Sequence, residues 1–134
     1  MGSDPVRVGS VVIDFADLEL MTRFWGDALG YRPDESGRTE RWCRLGDPAG
    51  RVNVSLQVVP DPTPGKNRLH LDLYPTGRDK ALPMQRRIEV VETKVAELVT
   101  LGADVERRTR HDDPQDPVYF VVMHDPEGNE FCVG

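Results

Sequence analysis

The chain has 134 residues, 38% of them hydrophobic and 30% charged, enough for one domain's core and too few for two independent ones. With 17 Lys and Arg against 23 Asp and Glu the net charge is -6, the wrong balance for a non-specific binder of nucleic acid or of an anionic membrane. No apolar run approaches the roughly 20 residues of a membrane span, and no charged start leads into an apolar signal segment, so the expectation is a soluble, cytoplasmic protein.

Residues 6–14 alternate and are rich in Val and Ile, a strand pattern. Asp17 reads as an N-cap, and Leu18, Met21, Phe24, Trp25 and Leu29 recur at helical spacing until Gly30 ends the helix. Residues 32–37 predict a strand entering a turn, and 39–45 and 51–59 predict two arms flanking the turn Asp47-Pro48-Ala49-Gly50. The proline-rich stretch 60–66 is a linker. After it the order repeats: a strand at 68–74, a helix ending at Leu101, a strand at 104–108, then strands at 118–123 and 129–133 around Asp125-Pro126-Glu127-Gly128. The two Leu-Gly helix ends and the two Asp-Pro-x-Gly turns lie roughly 72 and 78 residues apart, which predicts two copies of one supersecondary unit. The second copy carries about ten extra residues around 75–87, an insertion before its helix. Cys43 and Cys132 have no metal-type or redox-type spacing and read as free thiols of a reducing compartment. Walker A, GxGxxG, HExxH and GxSxG motifs are absent, so nucleotide hydrolysis, dinucleotide binding, metalloprotease and serine-hydrolase chemistry have no support.

The run 11–17, then Phe24-Trp25 and Leu29-Gly30-Tyr31, then Lys66-Asn67-Arg68-Leu69-His70-Leu71-Asp72-Leu73, and finally 125–133 together resemble the glyoxalase/bleomycin-resistance/dioxygenase superfamily, also called vicinal oxygen chelate. More narrowly the chain resembles the glyoxalase-like subgroup common in actinobacterial proteins. The resemblance implies an α+β fold of two βαβββ modules (about 6–59 and 67–134) whose strands curl around a cleft, in a single domain that forms a homodimer. It also implies four metal-ligand positions, which fall on Ser10, Gln57, His70 and Cys132. Two of the four depart from the His and Glu of better-known members, and a serine hydroxyl does not replace an imidazole at iron. No tightly bound cofactor is therefore expected, with a divalent metal held by substitute ligands as the alternative.

Strand alternation adds a reading of its own, because residues i and i+2 share a face: Asp72 goes with His70, and Glu130 goes with Cys132. An imidazole and two carboxylates in a cleft suit proton abstraction and return without a metal. The expected function is small-molecule binding, with metal-independent isomerase or lyase chemistry in which His70 and Glu130 are acid and base. Gln57, Ser10, Asp72 and Cys132 are expected to contact the substrate. Asp72 and Glu130 pairing with Arg44, Arg68 or Arg110 is the structural alternative. Trp42 and Tyr119 offer flat faces to a planar ligand, which supports a second function, antibiotic sequestration of the bleomycin-resistance type. A third is a divalent-metal lyase of the glyoxalase I type. His124 is expected at the surface, and His111 in a polar rim loop.

Overall fold

The computed structural model describes residues 8–134; the expected start of the first strand at 6–7 lies outside them. The chain divides into two compact units, Met1–Thr63 and Pro64–Gly134, with the break inside the proline-rich linker.

In the first unit β1 (Ser10–Phe15) leads into α1 (Leu18–Leu29), followed by β2 (Arg32–Pro33), a short 3-10 turn at Glu35–Gly37, β3 (Trp42–Gly46) and β4 (Asn53–Val58). The helix begins where the sequence predicts, with the Asp17 carboxylate accepting from the Leu20 N–H at 3.1 Å. It ends at Gly30, φ 68°. Met21, Phe24, Trp25 and Ala28 are buried along one stripe, and Phe15, Cys43, Leu45, Val54 and Leu56 are buried in the same core. The sheet order is β1-β4-β3-β2.

The second unit repeats this plan. β5 (Leu71–Leu73), α2 (Met84–Thr100), β6 (Asp104–His111), β7 (Val118–His124) and β8 (Glu130–Val133) form a sheet of order β5-β8-β7-β6. Two four-stranded mixed sheets, each with one helix, make an α+β fold of βαβββ units, as the sequence predicts. Some boundaries differ. The strand expected over 68–74 pairs only at Leu71–Leu73, so His70 stands just before it. β6 runs on through Arg110 and His111, because Arg110 pairs with Tyr119 and His111 with Val118; the expected rim loop starts later.

Register decides which side chains share a face. Leu73, Val133 and Val121 align across three strands, and with Met123 and Phe131 they are buried on the face that meets Val91, Val95 and Leu98 of α2. Burial of each such side chain contributes about 2 kcal/mol. In the intervening positions Asp72, Cys132, Val122 and Arg107 align across all four strands. The face opposite α2 thus carries the residues with chemistry.

The Asp-Pro-x-Gly turn fixes where β8 begins. Asp125 is 2% exposed, and its Oδ1 accepts from the Glu127 and Asn129 N–H groups while Oδ2 accepts from Asn129 Nδ2, each at 2.9 Å. Pro126 packs on the end of α2: a Cβ at Gly102 would lie 3.2 Å from its ring, at a φ of +113° that already disfavours any side chain. Asp47 does the same work in the first unit, accepting from the Ala49 N–H at 2.8 Å and from Arg51 Nε at 2.7 Å. Replacing Asp125 by Ala orphans buried backbone donors, so Asp125→Ala is expected to lower unfolding free energy by about 2 kcal/mol in urea denaturation. An unchanged midpoint would contradict this role for the turn.

Candidate functional site

A cavity of about 730 Å³ opens on the second unit, and His70, Asp72, Glu130 and Cys132 all line it. That volume lies within the range of small-molecule sites, roughly 300–1,000 Å³. The alternation that pairs His70 with Asp72 is realised as a contact: His70 Nε2 lies 3.0 Å from Asp72 Oδ1. When the imidazole is neutral, this bond holds the ring proton on Nε2 and leaves the Nδ1 lone pair bare. Tyr74 extends the chain, donating its hydroxyl to Asp72 Oδ2 at 3.4 Å.

Glu130 is positioned twice. Its backbone N–H donates to Asn67 Oδ1 at 2.7 Å and its carbonyl accepts from Asn67 Nδ2 at 3.1 Å, so the asparagine clasps the start of β8. The same amide nitrogen also donates to the Leu69 carbonyl, which ties the segment entering His70 to that clasp. The Glu130 side chain, only 10% exposed, pairs with Lys66 Nζ at 3.1 Å. Among the described residues neither acid forms a salt bridge with Arg44, Arg68 or Arg110: Asp72 is paired with His70 and Glu130 with Lys66, while Arg44 is bonded to Asp34 and Arg110 to Asp112. Burial, followed by the nearby charges of Asp72 and Glu130, pushes the Cys132 thiol above its ordinary value. Such a thiol stays protonated at neutral pH and is a poor nucleophile.

Of the other expected site residues only Tyr119 is among the residues that line this cavity. Ser10, Gln57 and Trp42 belong to the first unit. There Gln57 pairs with Asp14 of β1 on one side and Trp42 of β3 on the other, on one face of the sheet. The Ser10 hydroxyl is 2.7 Å from that of Ser55. Tyr119 reaches the cavity wall, but it is in phase with Val121 and Met123 on the α2 side of β7 and donates its hydroxyl to Glu92 at 2.7 Å. Arg108 holds that glutamate from the other side and, ahead of Tyr119, keeps its carboxyl below the usual carboxylate range. His124 is half-buried at the end of β7 and not fully on the surface, and His111 is exposed at the end of β6.

The ligand positions implied by the resemblance fit a metal poorly, since one is a serine hydroxyl already bonded to Ser55. A different trio fits better. Donor atoms of His70, Asp72 and Cys132 all lie within 4.8 Å of one another, a nitrogen, oxygen and sulfur set that suits a zinc-type ion with an open position. A second group, Glu106, His124 and Glu130, meets the same distance.

The two βαβββ units define the class, and the family follows: residues 10–134 match the model of the glyoxalase-like domain, and the chain belongs to that family, within the vicinal oxygen chelate superfamily. Solved structures share the fold. A glyoxalase/bleomycin resistance protein/dioxygenase family enzyme from Burkholderia phytofirmans PsJN is 19% identical, with 96% of this chain and 97% of that one covered and a TM-score of 0.73. A possible glyoxalase from Bacillus cereus is 15% identical over 96% and 98%, TM-score 0.66. A mutant of the genomically encoded fosfomycin resistance protein of Listeria monocytogenes, complexed with Mn(II) and 1S,2S-dihydroxypropylphosphonic acid, is 10% identical over 99% and 90%, TM-score 0.68. None of the curated proteins matches the chain.

Lys66, Asn67 and Tyr74 are site residues that sequence reasoning missed. The signal for Asn67 was weak but present: a polar amide entering a strand, next to a lysine. The thiol yields a test. Cys43 is fully buried, so alkylation of the native protein should occur at Cys132 and, its thiol being pushed up, should be slow at neutral pH and accelerate only above the ordinary thiol range. Asp72→Asn removes one source of the upward shift and should speed alkylation at neutral pH. Fast wild-type alkylation that Asp72→Asn does not alter would contradict this electrostatic reading.

Proposed function

We propose that this glyoxalase-like domain binds a small organic molecule in the second unit's cavity and moves a proton on it without a tightly held metal, as an isomerase or lyase. The observation that carries this reading is the His70–Asp72 pair at 3.0 Å in the wall of a ligand-sized cavity. Asp72 fixes the ring and Nδ1 acts as base. The proton leaves a carbon beside a carbonyl, and the C–H electrons pass into the carbonyl as an enolate. Return of a proton to a neighbouring atom completes an isomerisation, while loss of a β-substituent completes an elimination. Glu130, clasped by Asn67, is the second proton carrier.

Ligands found by melting-temperature shift are then incubated with the protein in D2O. Wild type is expected to exchange the carbon-bound proton, and His70→Gln to do so about 100-fold more slowly while affinity stays within a few-fold. Binding with no exchange in wild type would overturn the proton-transfer reading and leave a sequestering protein.

The trio of His70, Asp72 and Cys132 supports a second reading, a divalent-metal lyase of the glyoxalase I type. A metal bound there would polarise a substrate oxygen, and these three side chains would hold it. Near-stoichiometric zinc, nickel or manganese retained after desalting and lost in both His70→Ala and Asp72→Ala would favour this reading. No retained metal favours the first.

A further inference from the structure

The insertion before α2 carries an unusual stretch of backbone. Among the described residues Arg78 is the one non-glycine residue at positive φ, 58°, directly after Gly77 at 65°. The pair forms a tight turn closed by the Asp79 N–H on the Thr76 carbonyl at 3.3 Å. Two left-handed central residues define a turn that normally takes Asn or Gly, so an arginine is held there against its own preference. The segment is well tethered. Arg87 donates Nε to the Leu82 carbonyl, Nη2 to the Lys80 carbonyl and Nη1 to the Pro117 carbonyl, at 3.0, 3.0 and 2.9 Å. Thr76 accepts from the Arg78 N–H at 3.2 Å and donates to the carbonyl of Gly134 at 3.3 Å.

What the strained turn presents is a guanidinium. Arg78 Cζ lies 5.0 Å from the centroid of the Tyr74 ring, and Nη1 donates to the Tyr74 hydroxyl at 3.4 Å. That hydroxyl donates in turn to Asp72, the partner of His70. Arg78, Lys80 and Arg87 all line the cavity. Among the described residues none of the three forms a salt bridge, whereas Lys66 and Arg107 on the same wall do. Asp79, the nearest acid in sequence, turns its Oδ1 to the Ala81 N–H at 2.9 Å. Asp72, Asp79, Asp116 and Glu130 line the same cavity, but Asp72 and Glu130 are already paired with His70 and Lys66, so the cations of the insertion are the ones left to meet an anionic ligand.

We propose that Arg78, supported by Lys80 and by the charge of Arg87, binds the oxyanion group of the cavity's ligand, a carboxylate or a phosphoryl group, and that the left-handed turn exists to aim it. The cavity's ligands are then small organic acids, held by their anion at Arg78. The proposal rests on the cavity being the ligand site and not on proton transfer at His70.

The test is an amide NMR titration with inorganic phosphate and, separately, acetate, at ionic strength held constant with chloride. Wild type should give saturable shifts centred on residues 74–80. Arg78→Gly should weaken that binding about tenfold or more. Its melting temperature should be no lower than wild type, since glycine removes the strain. His70→Ala should leave anion affinity within about twofold, whatever becomes of exchange in D2O. Saturation by phosphate alone points to a phosphoryl ligand, and by acetate alone to a carboxylate. No saturable shift in wild type, shifts centred elsewhere, or equal affinity in Arg78→Gly would overturn the proposal.

Discussion

The parallel pairing of β5 with β8 is the constraint on which the site depends. It brings Leu71 beside Phe131, Asp72 beside Cys132 and Leu73 beside Val133, joining segments separated by a helix and two strands. A one-residue slip would turn every side chain to the other face, sending Asp72 and Cys132 toward α2 and Phe131 and Val133 away from it. Burial of Leu73, Phe131 and Val133 under the helix makes such a slip costly. Polar devices at both ends hold the same register. The Asp125 carboxylate starts β8 at a fixed residue, and Asn67 binds the backbone of Glu130 in the manner of an extra ladder partner. Hydrophobic packing thus sets the order of the sheet, and a few hydrogen bonds set the position of its chemistry.

The departures from the superfamily's ligand pattern make physical sense together. A serine at the first position is neutral and already shares a hydrogen bond with Ser55. At the fourth, a cysteine sits between two carboxylates and is held as a thiol by burial and by their charge. In the same space Asp72 contacts His70, and Lys66 balances Glu130. The result is a group of ionisable side chains that are one another's hydrogen-bond and ion-pair partners. The fosfomycin resistance protein of Listeria monocytogenes, complexed with Mn(II), shares the fold at 10% identity, and at that distance only the scaffold is common ground.

Much of this was legible in the sequence. The Leu-Gly and Asp-Pro-x-Gly echoes gave the repeat because each motif has a mechanical job: a left-handed glycine ends each helix segment, and a buried aspartate starts the last strand. The His70–Asp72 relation followed from alternation alone. Tyr119 lines the cavity yet gives its hydroxyl to Glu92, a partner that alternation could not supply, since it says which residues share a face but not what that face meets; its phase with Val121 and Met123, both buried and apolar, was the available clue. The extension of β6 through His111 had no apolar pattern to announce it, since Arg107, Arg108 and Arg110 alternate charge with charge on an edge strand. Arg78 and Arg87 were invisible for a different reason. Their roles depend on backbone conformation and on carbonyls 30 residues away or on a neighbouring turn, and composition does not encode either.

The 3.0 Å contact between His70 and Asp72 is what the proposed chemistry turns on: Asp72 is proposed to hold His70 as a base with the ring proton on Nε2 and the lone pair on Nδ1. The direct measurement is nitrogen-15 NMR of the His70 imidazole at a pH where it is neutral, assigned by comparison with His70→Gln. A single tautomer with its proton on Nε2 is expected, becoming a mixture in Asp72→Asn. A wild-type ring protonated on Nδ1, or an equal mixture insensitive to Asp72→Asn, would contradict it.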